Sequence, residues 1–239
     1  MNKIIIVPDV HGRSFWKKIK HEKDIPIVFL GDYLDPYKYE GISDEDAIQN
    51  FKEIIEFAKE NPNVTLLYGN HCVYSFNNVL DHHYYSSRYS YEHAAEIFKL
   101  YDENRELFKY AHQIDNILFT HAGVTTKWLS SFQLDEIVNS DNICHYLNTY
   151  VSESEMFLPG QFRGGWGYGS PLWADLKEMF YWAAFTDTDL IQIIGHTQLK
   201  DDGMIVDSHN FYCCDSREVF VFDGNLKVYQ DETDSEQEG

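Results

Sequence analysis

The chain's 239 residues are 44% hydrophobic and 16% aromatic, enough apolar surface for one substantial core. Nineteen basic residues against 39 acidic ones give a formal charge of -20, which sets the protein against duplex nucleic acid and anionic lipid surfaces. No apolar run approaches the roughly 20 residues that a membrane-spanning helix needs, and the first is too short for a signal-peptide core, so a cytoplasmic location is expected.

Residues 3–8 read as a buried strand that runs into Asp9-Val10-His11-Gly12. Side chains alternate along a strand, so Asp9 and His11 are expected on one side just where the strand leaves its sheet, and two such groups can grip one cation. Apolar runs at 25–30, 64–68, 117–120 and 190–194 read as further strands, each bounded by Gly, Asn, Asp or Pro. The 44–60 stretch predicts a helix: Ser43 can cap it, and Ala47, Ile48, Phe51, Ile54, Ile55 and Ala58 form one apolar stripe. A second helix is expected over about 91–108. Short strands at 204–206, 211–214, 219–222 and 226–229 follow, the last two joined by Asp-Gly-Asn.

This alternation points to a layered α/β sandwich, one domain over residues 1–230. The stretch 231–239, DETDSEQEG, carries five acids and no large apolar side chain and reads as a solvated tail. Residues 74–91, with His82 and His83 among many tyrosines, and 159–172, with GGWGYGSPL, fit neither period and are expected to be loops. Cys72, Cys144, Cys213 and Cys214 have no CxxC spacing and are expected as reduced thiols, the vicinal pair pointing to opposite faces.

Chemistry gathers at the trailing ends of the apolar runs: PDVHG, then GDYLD, GNH, THAG and GHT. A capped turn or a core histidine explains any one of these, but not all five in order. Carboxylate, amide oxygen and imidazole together suit Mn, Fe or Zn, and two neighbouring ions need a ligand that bridges them.

With these residues in view, the chain resembles the calcineurin-like metallophosphoesterases, over residues 3 to about 229. His121-Ala122-Gly123, Ser170-Pro171-Leu172-Trp173, Ile194-Gly195-His196-Thr197 and Cys214-Asp215-Ser216 look like the branch holding Ser/Thr protein phosphatases and diadenosine-tetraphosphate hydrolases. The resemblance implies a four-layer αββα sandwich with mixed central sheets and a dimetal site at strand C-terminal ends. It implies two divalent ions, Mn²⁺ first, with Fe or Zn as alternatives. One would take Asp9, His11 and Asp32, the other Asp32, Asn70, His121 and His196. His71 would protonate the leaving group and Asp35 would orient it, although a turn role ahead of Pro36 competes for Asp35. The implied reaction is hydrolysis of a phosphomonoester, on a phosphoprotein or small phosphoester, by a hydroxide bridging the metals. The alternatives are hydrolysis of a dinucleoside polyphosphate or nucleotide, or a non-catalytic metal-binding interaction module.

The chain departs from the pattern in three places. Protein phosphatases follow the acid of Gly-Asp-X-X-Asp with Arg-Gly, whereas this chain reads Asp35-Pro36-Tyr37, so the phosphate clamp must come from elsewhere. Arg13, Arg88, Arg163 and Arg217 are the candidates, with Arg13 and Arg163 preferred. Cys72 stands where an acid is common, and Thr197 stands where other branches place a second histidine.

Overall fold

A computed structural model describes residues 3–20, 23–72, 88, 90–199, 206–208 and 210–230. Five of its strands fall on the apolar runs at 3–8, 25–30, 64–68, 117–120 and 190–194, whereas those at 108–109 and 111–114 were not expected from the sequence. β1 (Ile4–Val7), β2 (Ile27–Phe29) and β3 (Val64–Leu67) pair in parallel, Ile5 opposite Ile27 and Ile27 opposite Val64. Antiparallel β10 (Phe220–Phe222) and β11 (Leu226–Val228) flank β1, and the short β4 (Phe108–Lys109) flanks β3, giving the order β11-β10-β1-β2-β3-β4. A second sheet joins β5 (Ala111–Ile114), β6 (Ile117–Thr120), β7 (Ile191–Ile194), β8 (Val206–Ser208) and β9 (Phe211–Cys213) in the order β5-β6-β7-β9-β8.

Alternation within β1 sorts the layers. Ile4 and Ile6 join Val28, Leu30, Leu67, Ile117, Phe119 and Ile193 in an apolar layer between the sheets. Ile5 and Val7 point the other way, toward Phe51, Ile54 and Ile55 of α1 (Asp44–Glu60) and Ile97 and Tyr101 of α2 (Ala94–Glu103). On the far face of the second sheet, Ile194, Phe211 and Cys213 pack on Met179 of α6 (Leu176–Trp182). Helix, sheet, sheet, helix is the αββα order. Burying a side chain such as Phe51 contributes roughly 1.5–3 kcal/mol, so these layers supply the rigidity that the rim loops borrow.

α1 starts as its sequence predicts: the Ser43 hydroxyl accepts from the Asp46 N–H at 3.0 Å, and Asp44, Glu45 and Asp46 sit at the positive end of the helix dipole. The second expected helix is shorter than its apolar spacing suggests. Asn104 leaves helical geometry and turns its amide back to the Leu100 carbonyl at 2.7 Å, after which a 3-10 turn delivers Phe108 into β4. Four short helices escaped the periodicity, α3 (Thr126–Ser131), α4 (Ile143–Thr149), α5 (Glu153–Met156) and α6. Segment 159–172 is irregular apart from a 3-10 turn at Gln161–Arg163. All four cysteines are free thiols, with Cys213 facing α6 and Cys214 facing the inter-sheet layer. Among the described residues no helix is long and apolar enough to cross a membrane. His82 and His83 with most of the 74–91 segment, residues 204–205, and the tail 231–239 lie outside the described residues.

Candidate metal centre

The carboxyl ends of β1, β2, β3, β6 and β7 come together at one rim of the sandwich. They deliver Asp9 and His11, Asp32 and Asp35, Asn70 and His71, His121, and His196 respectively. Asp9, His11, Asp32, Asp35, Asn70 and His121 are buried, and His71 and His196 are partly so. Asp9 and His11 reach this rim by a different route from strand alternation. β1 ends at Val7, and His11 adopts a left-handed conformation, φ 46°, fixed by its N–H donating to the Asp32 carbonyl at 2.6 Å and the Gly12 N–H donating to the Tyr33 carbonyl at 2.8 Å. Pinning the first loop along the second brings both side chains toward Asp32.

Asp32 is the hub. Its Oδ1 accepts the His71 backbone N–H at 2.8 Å, while Oδ2 lies 3.6 Å from His11 Nε2 and 3.5 Å from His121 Nε2. The ligating atoms of His11, Asp32 and His71 lie within 4.8 Å of one another, as do those of Asp9, Asp32 and His121, so Asp32 belongs to both trios. Asp9 is oriented in the same way as Asp32, its Oδ1 accepting the His196 N–H at 2.9 Å. Close approach explains two glycines: a Cβ on Gly69 would sit 2.1 Å from Asp32 Oδ1, and one on Gly195 would sit 2.2 Å from Asp9 Oδ1.

The ring tautomers follow from the backbone. A carbonyl only accepts, so His11 Nδ1 donates to Leu34 O at 2.9 Å and His121 Nδ1 donates to Leu30 O at 2.8 Å. Burial holds both imidazoles below their ordinary pKa, His11 well below, so each is neutral with a lone pair on Nε2. Those lone pairs face a carboxylate oxygen at distances too long for hydrogen bonds. His121 Nε2 also lies 2.8 Å from Asn70 Oδ1 and 3.1 Å from His196 Nδ1, and Asn70 Oδ1 lies 2.8 Å from His196 Nδ1. His196, likewise pushed well down by burial, has its Nε2 buried without a hydrogen-bond partner among the described residues. Burial also raises the Asp9 and Asp32 carboxyls, Asp9 further through the Asp32 charge and Asp32 through that of Asp35. Converging, desolvated acceptors of this kind fit divalent cations, and the mixed oxygen and imidazole donors suit first-row metals.

His71 is set differently. Its Nδ1 lies 2.7 Å from Asp35 Oδ2, and although burial pushes its pKa down, Asp32 and the hydrogen-bonded Asp35 outweigh that and raise it. Cys72 is fully buried beside the Gly69 N–H, its thiol pushed up to about 12 by burial, so it packs as an inert neutral group. Of the two preferred arginines, Arg163 reaches the rim: its Nη2 donates to Thr197 Oγ1 at 2.7 Å, Nε lies 2.8 Å from Asp175 Oδ2, and its charge is felt at His121 and His196. Arg13 also lies beside the cluster, its Nη1 donating to the Asp9 carbonyl at 3.3 Å, while both oxygens of Glu40 hold it at 2.8 and 3.1 Å. Arg88 approaches the His71 side, its Nη2 3.2 Å from His71 Nε2. Position in sequence gave no reason to prefer it over the other arginines.

The family model for calcineurin-like phosphoesterases matches residues 3–229. The chain therefore belongs to the calcineurin-like phosphoesterase family and is a phosphate-ester hydrolase, of a family that uses divalent metals in a dinuclear site. No curated protein matches it in sequence. Among solved structures, a protein serine/threonine phosphatase from Saccharomyces cerevisiae, with similarity to human phosphatase PP5, shares the fold at 17% identity and a TM-score of 0.53, covering 97% of this chain and 81% of that one. A metallophosphoesterase from Sphaerobacter thermophilus is matched at 11% identity and a TM-score of 0.40, over 98% of this chain and 90% of its own.

Proposed function

We propose that the chain is a phosphomonoesterase working with two divalent ions, Mn²⁺ first. In this reading Asp9, His11 and Asp32 hold one ion, and Asp32, Asn70, His121 and His196 hold the other. The observation that carries it is the position of Asp32 Oδ2 between two neutral imidazole lone pairs, at 3.6 and 3.5 Å. When bound, the ions supply Lewis-acid polarisation of phosphoryl oxygens and a local positive field that the acidic surface lacks.

The chain's own groups do the rest. The Leu34 and Leu30 carbonyls fix the ligand tautomers, and the His71 and His196 N–H groups hold Asp32 and Asp9 in place. His71 gives its Nδ1–H to Asp35 and turns Nε2 to the Arg88 Nη2–H; protonated at Nε2, it would deliver that proton to the leaving oxygen, a task typically worth about 10² to 10⁴ in rate. Arg163, on the His121 and His196 side, pairs with a phosphate oxygen. Arg13, whose Nη1 meets the Asp9 carbonyl at 3.3 Å while Glu40 holds its other nitrogens, is the second candidate for this role.

The test is metal analysis of purified protein, followed by turnover of p-nitrophenyl phosphate, phosphopeptides and diadenosine tetraphosphate with added Mn²⁺. Mn²⁺-dependent release from the phosphomonoesters is expected. Preferential cleavage of the dinucleotide would move the substrate class to polyphosphates, and absence of metal binding would overturn the reading.

A further inference from the structure

The missing Arg-Gly leaves Pro36 and Tyr37 at the mouth of the site, and Tyr37 has taken up another task. The Arg88 guanidinium lies over its ring, 3.7 Å from the centroid, and the same ring meets His11 edge-on at 5.1 Å. A guanidinium lying on an aromatic face is held in its plane by the ring quadrupole, with its N–H donors directed outward along that plane. One of them points at the cluster: Nη2 is 3.2 Å from His71 Nε2. The Arg88 charge is felt at His11, at Asp32 and at His71, which together make up one of the two trios.

His71 and Arg88 are each braced from behind, His71 by Asp35 and Arg88 by Tyr37. The Nη2–H is given to the His71 Nε2 lone pair, and an oxyanion oxygen arriving beside His71 offers that N–H a charged acceptor in its place. Arg163 stands on the opposite trio's side, near His121 and His196, so the two guanidiniums approach the cluster from different sides.

We propose that Arg88, stacked on Tyr37, binds an oxygen of the substrate phosphate beside His71, so that a distant residue supplies the guanidinium absent after Asp35. The proposal rests on the phosphoesterase reading above and adds to it the residue and the side by which phosphate is held. Arg88 is the binding group, and Tyr37 is a positioning residue that acts through it.

The probe is inorganic phosphate, titrated by calorimetry into Mn²⁺-loaded protein, with p-nitrophenyl phosphate kinetics and metal content measured alongside. Arg88→Ala is expected to weaken phosphate binding by about tenfold or more and to raise KM by a similar factor, with kcat less affected and Mn²⁺ content unchanged. Arg88→Lys should recover part of that loss. Tyr37→Ala should weaken phosphate binding by roughly three- to tenfold, and Tyr37→Phe, which keeps the ring face, should recover it. Phosphate affinity in Arg88→Ala within about twofold of wild type would overturn the proposal, as would loss of Mn²⁺ from that variant, which would make Arg88 structural. Wild-type protein that binds Mn²⁺ and phosphate but hydrolyses nothing would overturn the hydrolytic reading alone, and the variant series would still decide the clamp by titration. Failure of wild-type protein to bind phosphate would overturn both.

Discussion

His11 and His121 on one hand, and His71 on the other, belong to one cluster yet are braced by different chemistry. The first two give their Nδ1–H to backbone carbonyls, of Leu34 and Leu30, and burial keeps them neutral. The third gives its Nδ1–H to the Asp35 carboxylate, and the nearby acids raise its pKa against the pull of burial. A neutral dipole behind an imidazole leaves a lone pair for a cation, whereas a full negative charge behind it favours a proton. On the function proposed above, this difference in what stands behind the ring would separate ligand from proton carrier within one cluster.

Removing the hub gives the largest expected effect. Asp32→Asn should release both metals and lower turnover by on the order of 10³ or more, checked by metal analysis and p-nitrophenyl phosphate assay. Two tightly retained metals would break the comparison at its centre. His71→Ala should keep the metals and slow esters with poor leaving groups by about 10² to 10⁴, with a smaller loss on p-nitrophenyl phosphate. Equal losses on both would remove the proton from the account. Asp35→Asn sharpens the point through pH: a donor acts below its pKa, and taking away a charge that raises that pKa should start the alkaline fall in rate at lower pH. The smallest effect concerns His112 on β5, outside the cluster, pushed down to about 4 first by burial and then by Lys109. Its folded pKa lies below the ordinary histidine value of 6.5, so the stability it permits is complete above about 6.5 and is lost as pH falls toward 4. Thermal melts of His112→Asn should show a shallower decline over that window than wild type.

Five strands, and the polar tips that meet at one rim, were legible because each of those apolar runs stops at a short, polar, Gly-marked tip, and the period of a buried strand needs no partner to be read. The short helices were less so. α6 could have been found from Asp175-Leu176-Lys177-Glu178, whose side chains form a reciprocal capping box, while α4 has only seven residues and no side-chain cap. The arginines were illegible in principle. Arg13 sits two residues past His11, yet Glu40 pairs with it, and Arg88, far along the chain, lies over the Tyr37 ring beside His71. Nearness along the chain does not report which side chain will find a counter-charge.

The backbone N–H groups of His71 and His196 end on Asp32 and Asp9, the two carboxylates at the heart of the cluster. Isotope exchange at these two amides is therefore tied to how firmly the acids are held. Deuterium uptake there offers an occupancy gauge for each half of the site that requires neither substrate nor turnover.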